Sequence, residues 1–173
     1  QSDHGGAGLY VNGSTSSTMP IKLQNCIFWG QLANKGSAIY SDNSQVDIHH
    51  CTIYGNVAAY DGDGSVGGGI LVDAGSNLMV INSIFYGNTG GFSPEIWIHQ
   101  SISSTSITYS NIEGGWEDNT IIKTSPNFEK TDGSDFHLQD DSPCIDMGYP
   151  TDNDPDGTRA DMGAYGGIYG DWD

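Results

Sequence analysis

Carboxylates at alternate positions mark one short stretch near the end of the sequence. The stretch DNDPDG, residues 152–157, matches the opening of a calcium-binding loop, in which alternate side chains converge on one hard cation. The match then ends, because Gly163 stands where such a loop has its bidentate glutamate, although Asp161 lies nearby. Calcium is thus the candidate cofactor, and its candidate ligands are Asp152, Asp154, Asp156 and Asp161.

A second interpretation of the same stretch needs no metal. Arg159 is the sole arginine, and its guanidinium can pair with Asp161 or Asp146 and so fix the end of the chain onto the rest of the fold. A weaker calcium candidate, DGDG at residues 61–64, is typical of an exposed loop.

Acid–base catalysis finds little support in the sequence. A glycoside hydrolase needs two facing carboxylates, and a polysaccharide lyase needs a strong base aided by calcium or a cationic clamp. The four lysines and one arginine are widely separated, and most acidic residues fall in predicted loops. No catalytic residue is therefore assigned.

The fold that positions these side chains is indicated by four similar stretches of sequence: NCIFWG, HCTIYGN, NSIFYGN and YSNIEGG. Their first glycines, Gly30, Gly55, Gly87 and Gly114, are 25, 32 and 27 residues apart. Self-similarity at this spacing indicates stacked repeats such as those of a solenoid. A further set of similar segments, GLYV, AIYS, GILV and EIWI, precedes them, so each repeat has three short strands.

The face that points inward changes within each repeat. In each repeat, the side chains expected to point inward are those five and three residues before a Cys or Ser, that Cys or Ser itself, and the residue two positions after it. In a single strand every second side chain points the same way, so one strand cannot hold all four positions on one face. The residue just before the Cys or Ser is therefore predicted to be a left-handed corner, and it is Asn25, His50, Asn82 or Tyr109. Because Tyr suits this conformation poorly, the fourth repeat is predicted to bend differently. Asn56 and Asn88, which follow corner glycines, are predicted in left-handed or turn geometry.

The sequence thus predicts an all-β parallel solenoid of about four to five coils with three short strands each. Residues 1–118 form the coils, and residues 119–173 form the final coil and an irregular C-terminal tail that packs on the solenoid within the same domain. An antiparallel sandwich does not need the same residue types at the same relative positions, and a propeller needs longer repeats.

NCIFWG, HCTIYGN and GGGILV resemble the repeats of right-handed parallel β-helix proteins of the pectate-lyase-like family. Residues 125–148 and 154–167 resemble the closing element of large secreted bacterial β-helix proteins, which often carry a choice-of-anchor type C-terminal region. The resemblance implies a right-handed β-helix that is secreted or displayed on the cell surface, and it implies location better than chemistry. Gln1 opens in mid-pattern, so the chain is expected to be a processed or excised piece.

Charge and composition narrow the range of partners. With 22 acidic against 5 basic residues, the formal net charge is −17, which argues against binding nucleic acid or anionic membrane surfaces. No apolar run approaches the roughly 20 residues that span a bilayer. The three cysteines, Cys26, Cys51 and Cys144, lack CxxC spacing, so they are predicted to be buried thiols and not zinc ligands.

An outward column of apolar side chains is predicted beside the inner stack. It consists of Ile27, Trp29, Tyr54, Ile84 and Tyr86. A surface this apolar is a candidate interface or glycan-binding site, to be covered by the tail, by a protein partner or by sugar rings. If the tail covers it, Trp29 is expected to be shielded from solvent. A second column, Tyr10, Tyr40, Leu71 and Trp97, has no assigned facing.

The favoured function is a non-catalytic extracellular β-solenoid module, acting as a surface, adhesive or filament-forming structural protein that calcium stabilises. Open solenoid ends present strand edges, so head-to-tail or lateral self-association is expected. The alternative is a fragment of a polysaccharide-active enzyme, a lyase or glycoside hydrolase, or a glycan-binding module.

Overall fold

The computed structural model describes residues 5–13, 19–59, 66–73, 75–99, 104–130 and 132–170. These residues form fourteen short strands and no helix. In chain order the strands are β1 (Leu9–Asn12), β2 (Ile21–Gln24), β3 (Ile27–Trp29), β4 (Leu32–Ala33), β5 (Ile39–Asp42), β6 (Gln45–His49), β7 (Thr52–Tyr54), β8 (Val57–Ala58), β9 (Ile70–Val72), β10 (Asn77–Ile81), β11 (Ile84–Tyr86), β12 (Ile96–Ile98), β13 (Ser104–Thr108) and β14 (Asn111–Ile112).

Three parallel sheets form the body of the molecule. Sheet 1 has the order β1-β5-β9-β12, sheet 2 has β2-β6-β10-β13, and sheet 3 has β3-β7-β11-β14. Each strand pairs with the equivalent strand of the next coil, so the described residues make four coils of three strands. The predicted all-β parallel solenoid is confirmed, and the arrangement is that of a right-handed β-helix. A short fourth sheet, β4-β8, lies beside sheet 3, and a bridge from Asn111 to Ile122 begins a fifth coil.

The core is a set of inner columns in which one residue of each coil lies above its equivalent. Ile39 pairs with Ile70, Val46 with Leu78, and Ile53 with Phe85. All of these side chains are buried, and burying each one stabilises the fold by about 1.5–3 kcal/mol. The β-branched and aromatic residues of the repeats thus supply one continuous core.

All four predicted corners adopt the left-handed conformation. The φ angles of Asn25, His50, Asn82 and Tyr109 are 49°, 45°, 53° and 45°. The expectation of a different bend in the fourth coil was therefore wrong, because the stacking of strands on both sides of the corner outweighs the modest local cost of a left-handed tyrosine. Gly30, Gly55, Gly87 and Gly114 also have positive φ, between 63° and 77°, where glycine is favoured.

Residues 125–170, called the tail below, have little regular structure. Two isolated antiparallel bridges hold it together, Phe128 to Leu138 and Asn153 to Arg159. The tail packs against the outer face of sheet 3, where its Phe128, Phe136 and Met162 are buried. The prediction of an irregular tail that packs on the solenoid is confirmed.

Candidate functional site: the tail-covered face and the corner column

The outer face of sheet 3 carries the predicted apolar column. Ile27, Tyr54, Ile84 and Tyr86 pack against Phe128, Phe136, Cys144 and Met162 of the tail. The ring of Tyr54 lies 5.5 Å from that of Phe128 and 5.3 Å from that of Phe136, centroid to centroid. The structure therefore brings these four predicted residues together in a second core, which the tail completes.

Trp29 lies at the edge of this second core. Its ring is 6.3 Å from that of Phe136, and a Cβ on Gly133 would lie 2.1 Å from the indole, so only glycine fits there. Trp29 is nevertheless 43% exposed, and so the tail shields it only in part. A shallow cavity of about 240 Å³ opens beside the ring and is also lined by Gln31, Ser134 and Asp135.

The four left-handed corners, called the corner column below, hold the other half of the tail. The side-chain amide of Asn25 donates 2.8 Å hydrogen bonds to the carbonyl oxygens of Ala164 and Gly166. The backbone carbonyl of Asn82 accepts a hydrogen bond from Gly163, also at 2.8 Å. The corner column thus binds backbone groups of the tail, which few other side chains could do at this position.

His50 and Asn82 form the centre of this network. The Nε2 atom of His50 accepts a 2.9 Å hydrogen bond from the amide of Asn82, which also donates to Asp152 at 2.9 Å. The side-chain oxygen of Asn82 accepts from the backbone N–H of Tyr149 at 2.7 Å. Burial lowers the pKa of His50, so this histidine is held neutral as a structural acceptor.

Tyr109 and Arg159 close the network at the fourth coil. Tyr109 packs edge-on against Tyr149 with centroids 5.2 Å apart, and the guanidinium of Arg159 lies 5.8 Å from the Tyr109 ring. Arg159 donates to the carbonyl oxygen of Gly148 at 2.7 Å. No ion pair joins Arg159 to Asp146 or Asp161 in the described residues, so the predicted pairing was wrong. Backbone carbonyls and an aromatic ring hold the guanidinium instead.

The four candidate calcium ligands all accept hydrogen bonds within the protein. Asp154 accepts backbone hydrogen bonds from Asp161 and Gly167, and Asp161 accepts one from Asp146. Asp156 accepts from Thr158, and Asp152 accepts from the Asn82 amide.

Asp154, Asp156 and Asp161 line one cavity of about 220 Å³, and Asp152 is not among its lining residues. Among the described residues no three Asp, Glu, His or Cys side chains are grouped as a metal site, and DGDG at residues 61–64 lies outside those residues. Burial raises the pKa of Asp161 to about 6 and also raises that of Asp154. Calcium binding stays a prediction, which thermal unfolding with calcium and with a chelator would check.

A buried ladder of amides was missed in the sequence. Asn56 donates its backbone N–H to the side-chain oxygen of Asn88 at 2.9 Å, and its own side-chain oxygen accepts from the N–H of Gln31 at 3.0 Å. The side chain of Asn88 donates to the carbonyl oxygen of Ile53 at 2.9 Å. Neither asparagine is left-handed, so that alternative of the prediction was wrong, and both lie in the turns that follow β7 and β11. Their spacing of 32 residues, one repeat, was the signal available.

Glu95 ends this ladder and was not assigned a role from the sequence. It is 4% exposed, and its carboxyl group accepts from the backbone N–H of Asn88 at 3.1 Å and from the Asn88 side-chain amide. Burial, together with the nearby Glu113, raises the pKa of Glu95 to about 8. Because Glu95 precedes β12, its carboxyl group fastens the fourth coil to the third.

The second predicted column lies on the outer face of sheet 1. Tyr10, Tyr40, Leu71 and Trp97 are in register, and the rings of Tyr10 and Tyr40 are 5.1 Å apart. The Tyr40 hydroxyl donates to Asp73 at 2.8 Å, and that of Tyr10 donates to Asp42 at 3.1 Å. The polar ends of this column are therefore hydrogen-bonded within the molecule.

Comparison with known proteins agrees with this architecture. A family model described as the right-handed beta helix region matches residues 2–142. Neither the curated proteins nor the solved structures gave a match. In the described residues there is also no helix with the length and apolar character needed to cross a membrane.

Proposed function

The chain belongs to the right-handed β-helix family, and from that we propose that it is a non-catalytic extracellular structural module that self-associates through its first coil. The observation that carries the proposal is that the strands of the first coil have unpaired outer edges among the described residues. β1, β2 and β3 are the edge strands of their sheets, and within the described residues nothing pairs with their outer sides. Unpaired strand edges are templates for pairing with another chain.

The side chains of the first coil support this role. Ile21, Val46 and Leu78 occupy one inner column, and their exposed fractions are 44%, 0% and 2%. Ile21 is thus a core residue that no other coil covers among the described residues. An added coil of the same cross-section would bury it and also continue three sheets at once, as each coil does within this chain.

A structural role also suits the side chains that would otherwise be candidates for catalysis. His50 is held by Asn82, and Asp154 and Asp161 accept backbone hydrogen bonds. Glu95 is closed in beneath the third coil. The acidic composition and the resemblance of the tail to closing elements of secreted proteins support the extracellular location, and calcium stabilisation of the tail belongs to the same proposal.

Light scattering after size exclusion, over a range of protein concentrations, tests self-association. We expect the mass to rise with concentration in the unmodified chain and in Ile168→Lys, a control at an exposed position of the tail. Ile21→Lys places a charge on the first coil and should give monomer throughout. A monomer of the unmodified chain at every concentration would contradict the self-association, and release of sugars in a glycan depolymerisation screen would contradict the non-catalytic role.

Glycan binding at Trp29 is the second candidate. The half-exposed indole beside a cavity lined by Gln31, Ser134 and Asp135 has the aromatic and polar groups that contact a sugar ring. Calorimetry with a panel of soluble glycans should show binding that Trp29→Ala removes and Tyr10→Ala, at an exposed ring on sheet 1, retains. Equal binding by both variants would exclude this site.

A further inference from the structure

Two of the three cysteines lie one above the other in the first two coils. Cys26 and Cys51 each follow a left-handed corner residue, and the backbone N–H of Thr52 donates to the carbonyl oxygen of Cys26 at 2.9 Å. Each thiol also donates to the carbonyl oxygen two residues earlier, at 3.2 Å in both cases. The two side chains therefore leave the backbone in the same direction, at equivalent positions of adjacent coils.

The two sulfur atoms are within reach of each other. Both cysteines are free thiols in the structure, and each directly precedes one of the paired residues Ile27 and Thr52 of adjacent coils. Neighbouring strands place equivalent Cα atoms about 4.8 Å apart, which lies within the range of about 4.4–6.8 Å found for disulfides. In the third and fourth coils the column continues as Ser83 and Ser110, so the sulfur pair is confined to the first two coils.

Access differs between the two thiols in a way that suits stepwise oxidation. Cys51 is fully buried, whereas Cys26 is half-buried because the first coil has no coil above it in the described residues. Contact with the Cys51 side chain lowers the pKa of Cys26, and contact with Cys26 together with burial raises the pKa of Cys51. Cys26 is thus the thiol that becomes a nucleophile at the surface.

We propose that Cys26 and Cys51 are a modification site, at which a disulfide links the first coil to the second. A small external disulfide such as oxidised glutathione is the oxidant. The Cys26 thiolate attacks one of its sulfur atoms, which forms a mixed disulfide and releases one thiolate. Cys51 then loses its proton and attacks the Cys26 sulfur, which releases the second thiolate. The protein loses two electrons and two protons, and the oxidant becomes two thiols.

The bond would act on the part of the molecule that is held least firmly. Among the described residues the first coil contacts other coils on one side, so its strands are expected to open more often than those of the second and third coils. A covalent link from Cys26 to the buried Cys51 restricts that opening. This inference does not depend on self-association, and it holds for a monomer.

Cys144 provides the matched control within the same chain. It is fully buried in the second core, its sulfur accepts a 3.1 Å hydrogen bond from Asn111, and burial raises its pKa to about 11. No other cysteine lies beside it in the described residues, so it should stay reduced.

Peptide mass mapping of the folded chain after incubation with oxidised and reduced glutathione tests the proposal. We expect a peptide pair joined through Cys26 and Cys51, the loss of two hydrogen masses from the intact chain, and one thiol, that of Cys144, titrated after denaturation. Hydrogen exchange in β2 and β3 should slow several-fold upon oxidation, and β10 and β11 should be unchanged.

Other outcomes would overturn it. These are three remaining thiols, a stable glutathione adduct on Cys26, or a Cys26–Cys26 link between two chains. Cys144→Ser should oxidise as the unmodified chain does, and Cys51→Ser should only form the glutathione adduct. Because the mapping uses the unmodified chain, failure of a variant to fold leaves the test intact.

Discussion

The two ends of the solenoid differ in what covers them. At the first coil, the inner side chains of Leu9, Leu23 and Phe28 are only partly buried. At the last coil, Trp116 and Ile121 pack against the core. The side chains of the repeats stack to form the core, whereas Trp116 and Ile121, which cover the last coil, lie in a segment that does not resemble the repeats.

Hydrogen bonds show the same difference. Ile122 exchanges backbone hydrogen bonds with Ser110 and Ile112, and the Thr120 hydroxyl accepts from the N–H of Tyr109. The segment after β14 thus satisfies backbone groups of the last coil, whereas the outer edges of β1 and β2 have no equivalent segment among the described residues. We infer that the first coil is the least stable part of the solenoid.

The largest expected effect comes from two phenylalanines in one column. Phe85 of the third coil is fully buried, and Phe28, which occupies the equivalent position of the first coil, is half-buried. Phe85→Ala should lower the free energy of unfolding by about 3–5 kcal/mol, because it leaves a cavity with rigid walls. Phe28→Ala should cost about 1–2 kcal/mol, because part of its surface is already in water.

Urea denaturation followed by circular dichroism measures both values. Hydrogen exchange shows which strands are destabilised, since Phe28→Ala should speed exchange in β1 to β3 and leave the later coils protected. Equal losses in the two variants would mean that the ends and the middle are equally stable.

The next largest effect is a dependence of the free energy of unfolding on pH, which arises from Glu95 in the last coil. Because the pKa of folded Glu95 is raised to about 8, its contribution to stability is complete below its ordinary pKa and is lost as the pH rises through about 8. Each pKa unit of difference between the folded and unfolded states is worth about 1.4 kcal/mol. The free energy of unfolding is therefore expected to fall by at least about 2 kcal/mol as Glu95 ionises. Glu95→Gln should remove most of this slope.

Thermal unfolding of both proteins between weakly acidic and weakly basic pH measures the slope. Hydrogen exchange at high pH should be fastest in β12 to β14, which Glu95 fastens to the third coil. Identical slopes in the two proteins would show that Glu95 does not titrate in this range. Asp161, whose pKa is also raised, would then be the next group to test.

Removing the residue that covers the last coil should lower the stability less than Phe85→Ala does. Trp116→Ala should cost about 2 kcal/mol, because the indole is only half-buried. It should also expose apolar side chains on the inner face of the fourth coil, so that self-association increases. Ile168→Ala, at an exposed position of the tail, is the control. Light scattering that shows no increase would mean that Trp116 is not what closes this end.

The fold was predictable because its signals lie within one repeat. The positions of Cys26, Cys51, Ser83 and Ser110 define equivalent points, and the change of inner face around them requires a corner. Tyr109 was misjudged because residue preference at a single position is weak compared with the stacking of two sheets. Local sequence patterns thus predicted the coils correctly but predicted the wrong backbone conformation for Tyr109.

The details of the site depend on contacts between distant segments, which no repeat encodes. Arg159 was expected to pair with a nearby aspartate, yet it binds carbonyl groups and lies over Tyr109, fifty residues earlier in the chain. Asn56 and Asn88 were assigned to turns because asparagine is common there, whereas their spacing of one repeat makes them a ladder. The tail contact of Ile27, Tyr54, Ile84 and Tyr86 was expected only as one of several ways to cover them.

The corner column has a consequence for how such a protein can lengthen during evolution. The tail contacts the corner of every coil in turn: Asn25 through Ala164, His50 beside Gly167, Asn82 through Gly163, and Tyr109 through Tyr149. Duplication of one coil would add a corner with no matching group in the tail and would displace the others by one step. The spacing of the tail contacts therefore matches the spacing of these four corners, so that a coil inserted between them would need a matching insertion in the tail.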